Sequence, residues 1–148
     1  MIRKILLLFF VLVPFCGYSQ SLKLDTIYYD THWKQIDHKE FASYYRVAEL
    51  NDTDSPKMYR TYKTTGELFS EGYYIVMDRD NDSNTIFHGE NIQYYPSGKV
   101  MEKSVYIKGK RDGLYNLFFE NGLTKISATY VDGLLDGLYY GQENEMYK

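Results

Sequence analysis

Residues 123–131 alternate between apolar and polar side chains, which is the pattern of a β-strand. Ile126, Ala128 and Tyr130 fall on one side of that strand, and the residues between them are polar. Residues 114–119 instead carry apolar groups on both sides, so a sheet with a single buried face does not explain them. No segment shows a sustained helical period, so we expect little helix and an all-β fold.

A set of positions recurs with a 24-residue period in the second half of the chain. Asp112-Gly113-Leu114-Tyr115 returns as Asp136-Gly137-Leu138-Tyr139, and Tyr106 returns as Tyr130. An earlier copy is visible at a wider offset, in which Tyr62 matches Tyr94. The extra residues fall at 78–88, where a run of Asp and Asn indicates an inserted polar loop. The chain therefore contains an internal repeat, which is the signature of a stacked architecture.

Each 24-residue unit is predicted to be a β-hairpin. Glu120-Asn121-Gly122 forms the turn, and Asp132-Gly133 and Asp136-Gly137 bracket the return turn to the next unit. Glycine recurs because tight turns need left-handed backbone at fixed offsets. The glycines that we assign to turns are Gly66, Gly89, Gly98, Gly109, Gly113, Gly122, Gly133 and Gly137.

These units predict an elongated antiparallel sheet of β-hairpin repeats over residues 59–148, in which neighbouring repeats bury one another. Residues 20–58 do not follow the period. We interpret them as an N-terminal cap, because the first strand of such an array needs its open edge covered. Within the cap, residues 22–29 are a predicted strand, and residues 41–50 are a predicted strand for which a short helix is the alternative.

Residues 1–19 have the layout of a secretory signal peptide. Arg3 and Lys4 precede a short apolar run at residues 5–13, and Gly17 and Ser19 place small residues ahead of a cut before position 20. A membrane anchor or a buried helix is the alternative, although the apolar run is short for a span. Lipidation at the single cysteine, Cys16, is a further alternative, but bulky Phe15 precedes it.

Charge and cysteine content narrow the possible functions. The 148-residue chain has 17 basic and 20 acidic residues. Removal of Arg3 and Lys4 with the signal leaves 15 basic residues against 20 acidic ones, a net charge of −5, and no cysteine. Nucleic acid is therefore not an expected partner, and thiol chemistry is excluded for the exported form. We also expect no membrane span after signal removal.

The repeat units resemble MORN repeats, and more closely the variant found in bacterial proteins described as antitoxin components of toxin–antitoxin systems. The pattern is an aromatic-x-x-x-Gly turn, a strand ending in Tyr, and two glycines followed by an aromatic strand. It is carried over residues 59–140 by Tyr94–Gly98, Tyr106, Gly109, Gly113 and Tyr115, and by Phe118–Gly122, Tyr130, Gly133, Gly137 and Tyr139. Phe118 departs from the usual Tyr, and the insertion at 78–88 makes the first unit irregular.

The cap has a resemblance of its own. Tyr28-Tyr29-Asp30, Trp33-Lys34 and Ala42-Ser43-Tyr44-Tyr45-Arg46 resemble the segment that precedes such repeats in envelope proteins of the Bacteroidota, including TonB-type energy transducers. Those transducers carry a separate C-terminal domain that contacts receptors, and we do not expect that function in this chain.

Few residues suggest catalysis or metal binding. His32, His38 and His88 lack the spacing of a zinc motif. Asp78, Asp80 and Asp82 have the spacing that begins a calcium loop, but Ser83 and Gly89 stand where the loop needs Gly and Glu, so calcium remains a weak alternative to a solvated loop. We expect no cofactor and no catalytic residue.

Together these features favour an exported, non-catalytic repeat protein that binds another protein or an envelope component. Tyrosine is enriched at binding surfaces, so we predict that the recurring rings form the binding face. The predicted face consists of Tyr94, Tyr106, Tyr115, Phe118, Tyr130 and Tyr139. An antitoxin component is the first alternative, and a glycan hydrolase, which would need a pair of carboxylates in a cleft, is the second.

Overall fold

The computed structural model of the protein describes residues 23–50 and 55–141, with side chains described as far as residue 137. The predicted signal peptide at residues 1–19, with Cys16, lies outside the described parts, as do residues 142–148 and the side chain of Tyr139. Within the described parts, no helix is long and apolar enough to cross a membrane.

The described residues form one antiparallel sheet of nine strands that follow one another in chain order. The strands are β1 (Leu24–Tyr29), β2 (Tyr44–Glu49), β3 (Lys57–Lys63), β4 (Leu68–Val76), β5 (Ile86–Tyr94), β6 (Val100–Ile107), β7 (Lys110–Phe118), β8 (Thr124–Val131) and β9 (Leu134–Gly141). The helices of this region are two single turns of 3₁₀ helix, Lys39–Phe41 and Asp82–Asn84. The all-β prediction is confirmed.

Strand bounds recur at the spacing of the sequence pattern. β7 begins and ends one period after β5, and β8 does so relative to β6. β9 begins one period after β7. The turns repeat as well, because Gly98 donates its N–H to Tyr95 O and Gly122 donates to Phe119 O, each at 2.8 Å.

The two-residue connections between β6 and β7 and between β8 and β9 have left-handed backbone at both positions. Lys108 and Gly109 have φ of 49° and 83°, and Asp132 and Gly133 have φ of 49° and 84°. Such turns match the right-handed twist of the flanking strands, and their second position favours Gly. The chain therefore reverses here in two residues.

All eight glycines assigned to turns from the sequence have positive φ, but three of them lie inside strands. Gly89, Gly113 and Gly137 lie in β5, β7 and β9. Around each glycine, the stretch between two consecutive paired positions is two residues longer than the matching stretch on the preceding strand. The prediction that Asp136-Gly137 helps to form the return turn is wrong, because Asp132-Gly133 completes it alone. These glycines make bulges, which bend the strand and increase its twist.

One face of the sheet, here named the front face, carries a row of directly opposed residues, one from each of seven strands. The row runs Ala48, Tyr59, Gly72, Asn91, Ser104, Tyr115 and Ala128. Large and small residues alternate along it, so each large side chain can lie over a small neighbour. Six of the seven are buried, and Tyr115 is half-buried.

Gly72 shows why the small positions matter. The Tyr59 hydroxyl donates to Asn91 Oδ1 at 2.7 Å, and Gly72 stands between these two residues in the row. A Cβ at position 72 would overlap the Asn91 side chain and would lie 2.9 Å from the Glu90 carbonyl oxygen. Because Gly72 has no side chain, Tyr59 and Asn91 can form their hydrogen bond across it.

We expect Gly113→Ala to lower the free energy of unfolding more than Gly122→Ala does. Both glycines have positive φ, which costs an L-residue about 1–2 kcal/mol. Only at Gly113 would the new Cβ also press on Val105 Cβ, at 3.3 Å, whereas the space around Gly122 is open. Urea denaturation of both variants measures the difference. Equal losses would contradict a packing role for this bulge.

Candidate binding face

Arg46 lies on the front face of β2 and is buried, with 2% of its surface exposed. Its Nε donates to Thr61 Oγ1 at 2.9 Å, and its two terminal nitrogens donate to the two carboxylate oxygens of Asp82. The guanidinium carbon lies 5.2 Å from the ring centre of Tyr29 and 4.6 Å from that of Tyr59. A cation so placed is stabilised by the ring faces as well as by its carboxylate partner.

The electrostatics of this cluster follow from its burial. Burial alone would lower the pKa of Arg46, but the hydrogen-bonded Asp82 carboxylate raises it above its ordinary value. Burial raises the pKa of Tyr29 to about 12 and also raises the pKa of Tyr59, in each case against the opposing effect of Arg46. The Tyr29 hydroxyl is buried with no hydrogen-bond partner among the described residues.

Two connecting segments meet in front of this cluster. The turn after β1 is organised by Asp30, whose Oδ1 accepts the N–H groups of His32 at 2.7 Å and Lys34 at 3.0 Å. These bonds hold the pKa of Asp30 below its ordinary value. Lys34 forms an isolated β-bridge with Asn81 in the loop between β4 and β5. The turn and the inserted loop therefore come together over the sheet.

Trp33 lies in that turn with φ of 62°, a left-handed backbone that a bulky residue seldom adopts. Its ring stacks on Tyr44 at 4.5 Å and lies 5.4 Å from Phe69. The turn therefore fixes the indole beside the front face.

A depression of about 530 Å³, here named the Trp33 groove, opens between the turn, the loop and the sheet. Arg46 and Asp82 are among its lining residues. Its walls include the rings of Trp33, Tyr59, Phe69 and Phe87 and the amide groups of Asn81 and Gln93. That volume is within the range of small-molecule sites, which combine apolar walls with a few polar groups.

A second arginine lies among tyrosines further along the front face. The Arg111 guanidinium carbon is 4.6 Å from the ring centre of Tyr115, 5.7 Å from that of Tyr130 and 5.9 Å from that of Tyr106. Arg111 also pairs with Glu102 at 3.3 Å. Here 36% of the arginine side chain is exposed, so this cluster is open where the Arg46 cluster is closed.

The predicted aromatic face is divided between the two sides of the sheet. Tyr106, Tyr115 and Tyr130 lie together around Arg111 on the front face. Strand alternation places Tyr94 and Phe118 on the opposite side, here named the back face. The Tyr94 hydroxyl donates to Glu71 Oε1 at 2.7 Å, and this bond helps to hold the pKa of Glu71 below its ordinary value. The side that a residue faces depends on its position in the alternation along its strand. The bulges on β5, β7 and β9 shift that alternation.

The aspartates of the inserted loop serve different partners. Asp78 accepts hydrogen bonds from the N–H groups of Asp80 and Asn81 and from the Asn84 amide, whereas Asp82 pairs with Arg46. In the described parts of the chain, no group of three or more acidic, histidine or cysteine side chains is arranged to hold a metal ion. Asp78, Asp80 and Asp82 are therefore not brought together as calcium ligands.

Four residues of these clusters were not identified from the sequence as site residues: Trp33, Arg46, Gln93 and Arg111. Asp82 was identified, but as a calcium candidate and not as the partner of Arg46. One feature of the sequence does point to Arg46. The alternation of side chains along a strand places it on the same side as Ala48. Its partner Asp82 is distant along the chain, and no local pattern links the two.

Comparison with protein-family models, with curated proteins and with solved structures finds no match to this chain.

We expect Asp82→Ala to lower the free energy of unfolding by about 3–5 kcal/mol, because it leaves a buried guanidinium without its counter-charge. Lys110→Ala is the control, since it breaks an exposed pair with Asp132 and should cost at most about 1 kcal/mol. Chemical denaturation of both variants at neutral pH measures the two losses. Similar small losses would show that the Arg46–Asp82 pair contributes little.

We expect stability to fall as the pH rises from 10 towards 12. The ordinary tyrosine pKa is 10.0, and those of folded Tyr29 and Tyr94 are about 12. A raised folded pKa means that the folded state holds its proton longer, so this stabilisation is complete below pH 10 and is lost above it. Denaturation curves at several alkaline pH values, with tyrosinate absorbance recorded in parallel, measure the loss.

Tyr29→Phe tests the assignment of that loss. At neutral pH we expect little change in stability, because the hydroxyl that is removed has no described partner. At alkaline pH the variant should lose less stability than the native chain, since one buried ionisable group is gone. An unchanged alkaline profile would exclude Tyr29 as a contributor.

Proposed function

We propose that this chain is an exported, non-catalytic protein of MORN-type β-hairpin repeats, and that its front face binds another protein or a component of the cell envelope. The observation that carries the proposal is the open cluster of Arg111 with Tyr106, Tyr115 and Tyr130. Arginine and tyrosine are among the residues most often found at the energetic centre of interfaces.

The repeat interpretation is supported by the recurrence of strand bounds and of positive φ at one spacing. Gly89, Gly113 and Gly137 are evenly spaced along the chain, and each has a positive φ and lies in a bulge of the same length. Repeats of this kind present a long, regular surface, and binding is their usual role.

The cap interpretation is supported by the hydrogen bonds of β1. The N–H of Ile36 donates to Tyr28 O at 3.0 Å, and Tyr29 forms an isolated bridge with Gln35. The chain after β1 thus folds back along part of its outer edge, which would otherwise offer unpaired groups to another strand.

The two arginine clusters suggest two different roles on the front face. The Arg46 cluster is closed by Asp82 and by the inserted loop, so it stabilises the fold. The Arg111 cluster has the same chemistry with a single carboxylate partner, Glu102, and it remains partly exposed. A partner could therefore contact the rings and the guanidinium without first opening the core.

Export rests on the signal-like residues 1–19 alone. The antitoxin alternative shares the fold and the binding face but requires a toxin enzyme as the partner. One experiment separates these interpretations, because it identifies what the front face retains.

The test is capture from a detergent-solubilised envelope fraction of the source cells with the immobilised protein. We expect a defined species to be retained by the native chain and lost by Tyr130→Ser, because this variant opens the cluster around Arg111. Asn116→Ala, a change on the back face, is the matched control and should retain that species. Circular dichroism verifies that both variants fold.

Retention of no defined species by the native chain above the bare matrix would overturn the proposal. Retention of an enzyme whose activity falls on binding would favour the antitoxin alternative. Equal retention by Tyr130→Ser and the native chain would move the binding site away from the front face.

A further inference from the structure

We infer that the Trp33 groove binds an uncharged sugar unit of a glycan. This inference rests on the proposed function, because it specifies the chemistry of the envelope component that the front face would hold. It concerns the end of the face furthest from Arg111.

The aromatic walls supply the first part of the argument. Tyr59 lies 5.7 Å from Phe87, and Phe87 lies 5.7 Å from Tyr106, so the rings continue from the groove along the front face. Ring faces carry partial negative charge and attract the slightly positive C–H groups of a pyranose. Tyr59 is buried, but Trp33, Phe69 and Phe87 are half-buried lining residues, so they offer the apolar ring surface beside which a sugar ring can lie.

The amide of Gln93 supplies the second part. Gln93 lies on β5, opposite Ser70 on one side and Glu102 on the other, and it lines the groove. Its side chain makes no hydrogen bond to any residue in the described ranges 23–50 and 55–141. An amide has a donor and an acceptor side by side, which suits two adjacent sugar hydroxyls that each donate and accept.

The charge of the groove favours a neutral ligand. Arg46 and Asp82, which both line the groove, satisfy each other, so neither has a free charge to offer. His32 also lines the groove, and its Nδ1 lies 3.9 Å from Asp30 Oδ2, so a carboxylate of the protein already stands beside it. A ligand carboxylate or ammonium would therefore give up water for little gain.

The position of the groove argues against an extended peptide that binds by adding a strand. It lies on the face of the sheet, where the backbone groups are already paired, and an extended peptide gains most of its affinity by adding a strand at an edge.

The test uses Trp33 as its own reporter, because it is the single tryptophan of the chain. The purified protein is titrated with chitotetraose, cellotetraose and maltotetraose while its tryptophan emission is followed. At least one should give a saturable shift to shorter wavelength as the sugar displaces water from the indole. Tetragalacturonate, which is anionic, should give none.

Gln93→Ala should weaken that binding about tenfold, because hydrogen bonds to the sugar are lost. Asn116→Ala on the back face should leave it unchanged. Neither residue is in the buried set, so both variants should fold, which circular dichroism verifies.

A lack of saturable response to all three neutral sugars, or full affinity in Gln93→Ala, would overturn the inference. A stronger response to tetragalacturonate would overturn its claim about charge. If envelope capture persists while the sugars give no response, the inference fails and the proposed function stands. If both experiments are negative, both fall.

Discussion

The alternation of large and small residues along the front face is the constraint on which this fold depends. A single sheet has no second layer to cover it, so its side chains must cover one another. Tyr59 and Asn91 connect over Gly72, and Ser104 and Ala128 flank Tyr115. If the small positions were large, the rings would be pushed into water. The glycine bulges serve the same packing, since they set which side chains each strand adds to the face.

Arginine acts on this sheet as a core residue. Its aliphatic chain and planar guanidinium fill the space between tyrosine rings. The ring faces partly offset the cost of burying the positive charge in a low-dielectric environment. Arg46 lies between Tyr29 and Tyr59 and gains a carboxylate from the inserted loop. Arg111 lies among three tyrosines with a partner on the neighbouring strand. The Arg46 cluster is thus closed by Asp82, whereas the Arg111 cluster is partly exposed. The exposed cluster has room for contacts with another molecule.

The sequence predicted features that depend on local spacing and missed those that depend on distant partners. The 24-residue period anticipated the spacing at which strand bounds recur from β5 to β9, but not the bounds themselves, since β7 begins at Lys110 and β9 at Leu134, inside the segments expected to be turns. It also anticipated the positive φ of its glycines, because turns and bulges are encoded by a few neighbouring residues. It did not distinguish a glycine at a turn from one in a bulge, since both need the same backbone angle. Strand parity after a bulge decides the face, so Tyr94 and Tyr106 were assigned together although they lie on opposite sides. The Arg46–Asp82 pair could not be predicted because the spacing of the loop aspartates indicates a loop or a cation site and carries no information about a partner on β2.

The interruption of the period is what creates the groove. A strictly regular array would place a two-residue turn between β4 and β5, as it does between β6 and β7, and nothing would stand in front of the sheet. The inserted loop instead brings Asp82 to Arg46 and Asn81 to Lys34, and it thereby closes a wall opposite Trp33. The loop is held by the buried Arg46–Asp82 pair, by an ion pair between Arg79 and Asp25 and by the bridge between Lys34 and Asn81, so the wall is fixed in place by polar contacts. The evenly spaced strands thus supply the platform, and the inserted loop supplies one wall of the Trp33 groove.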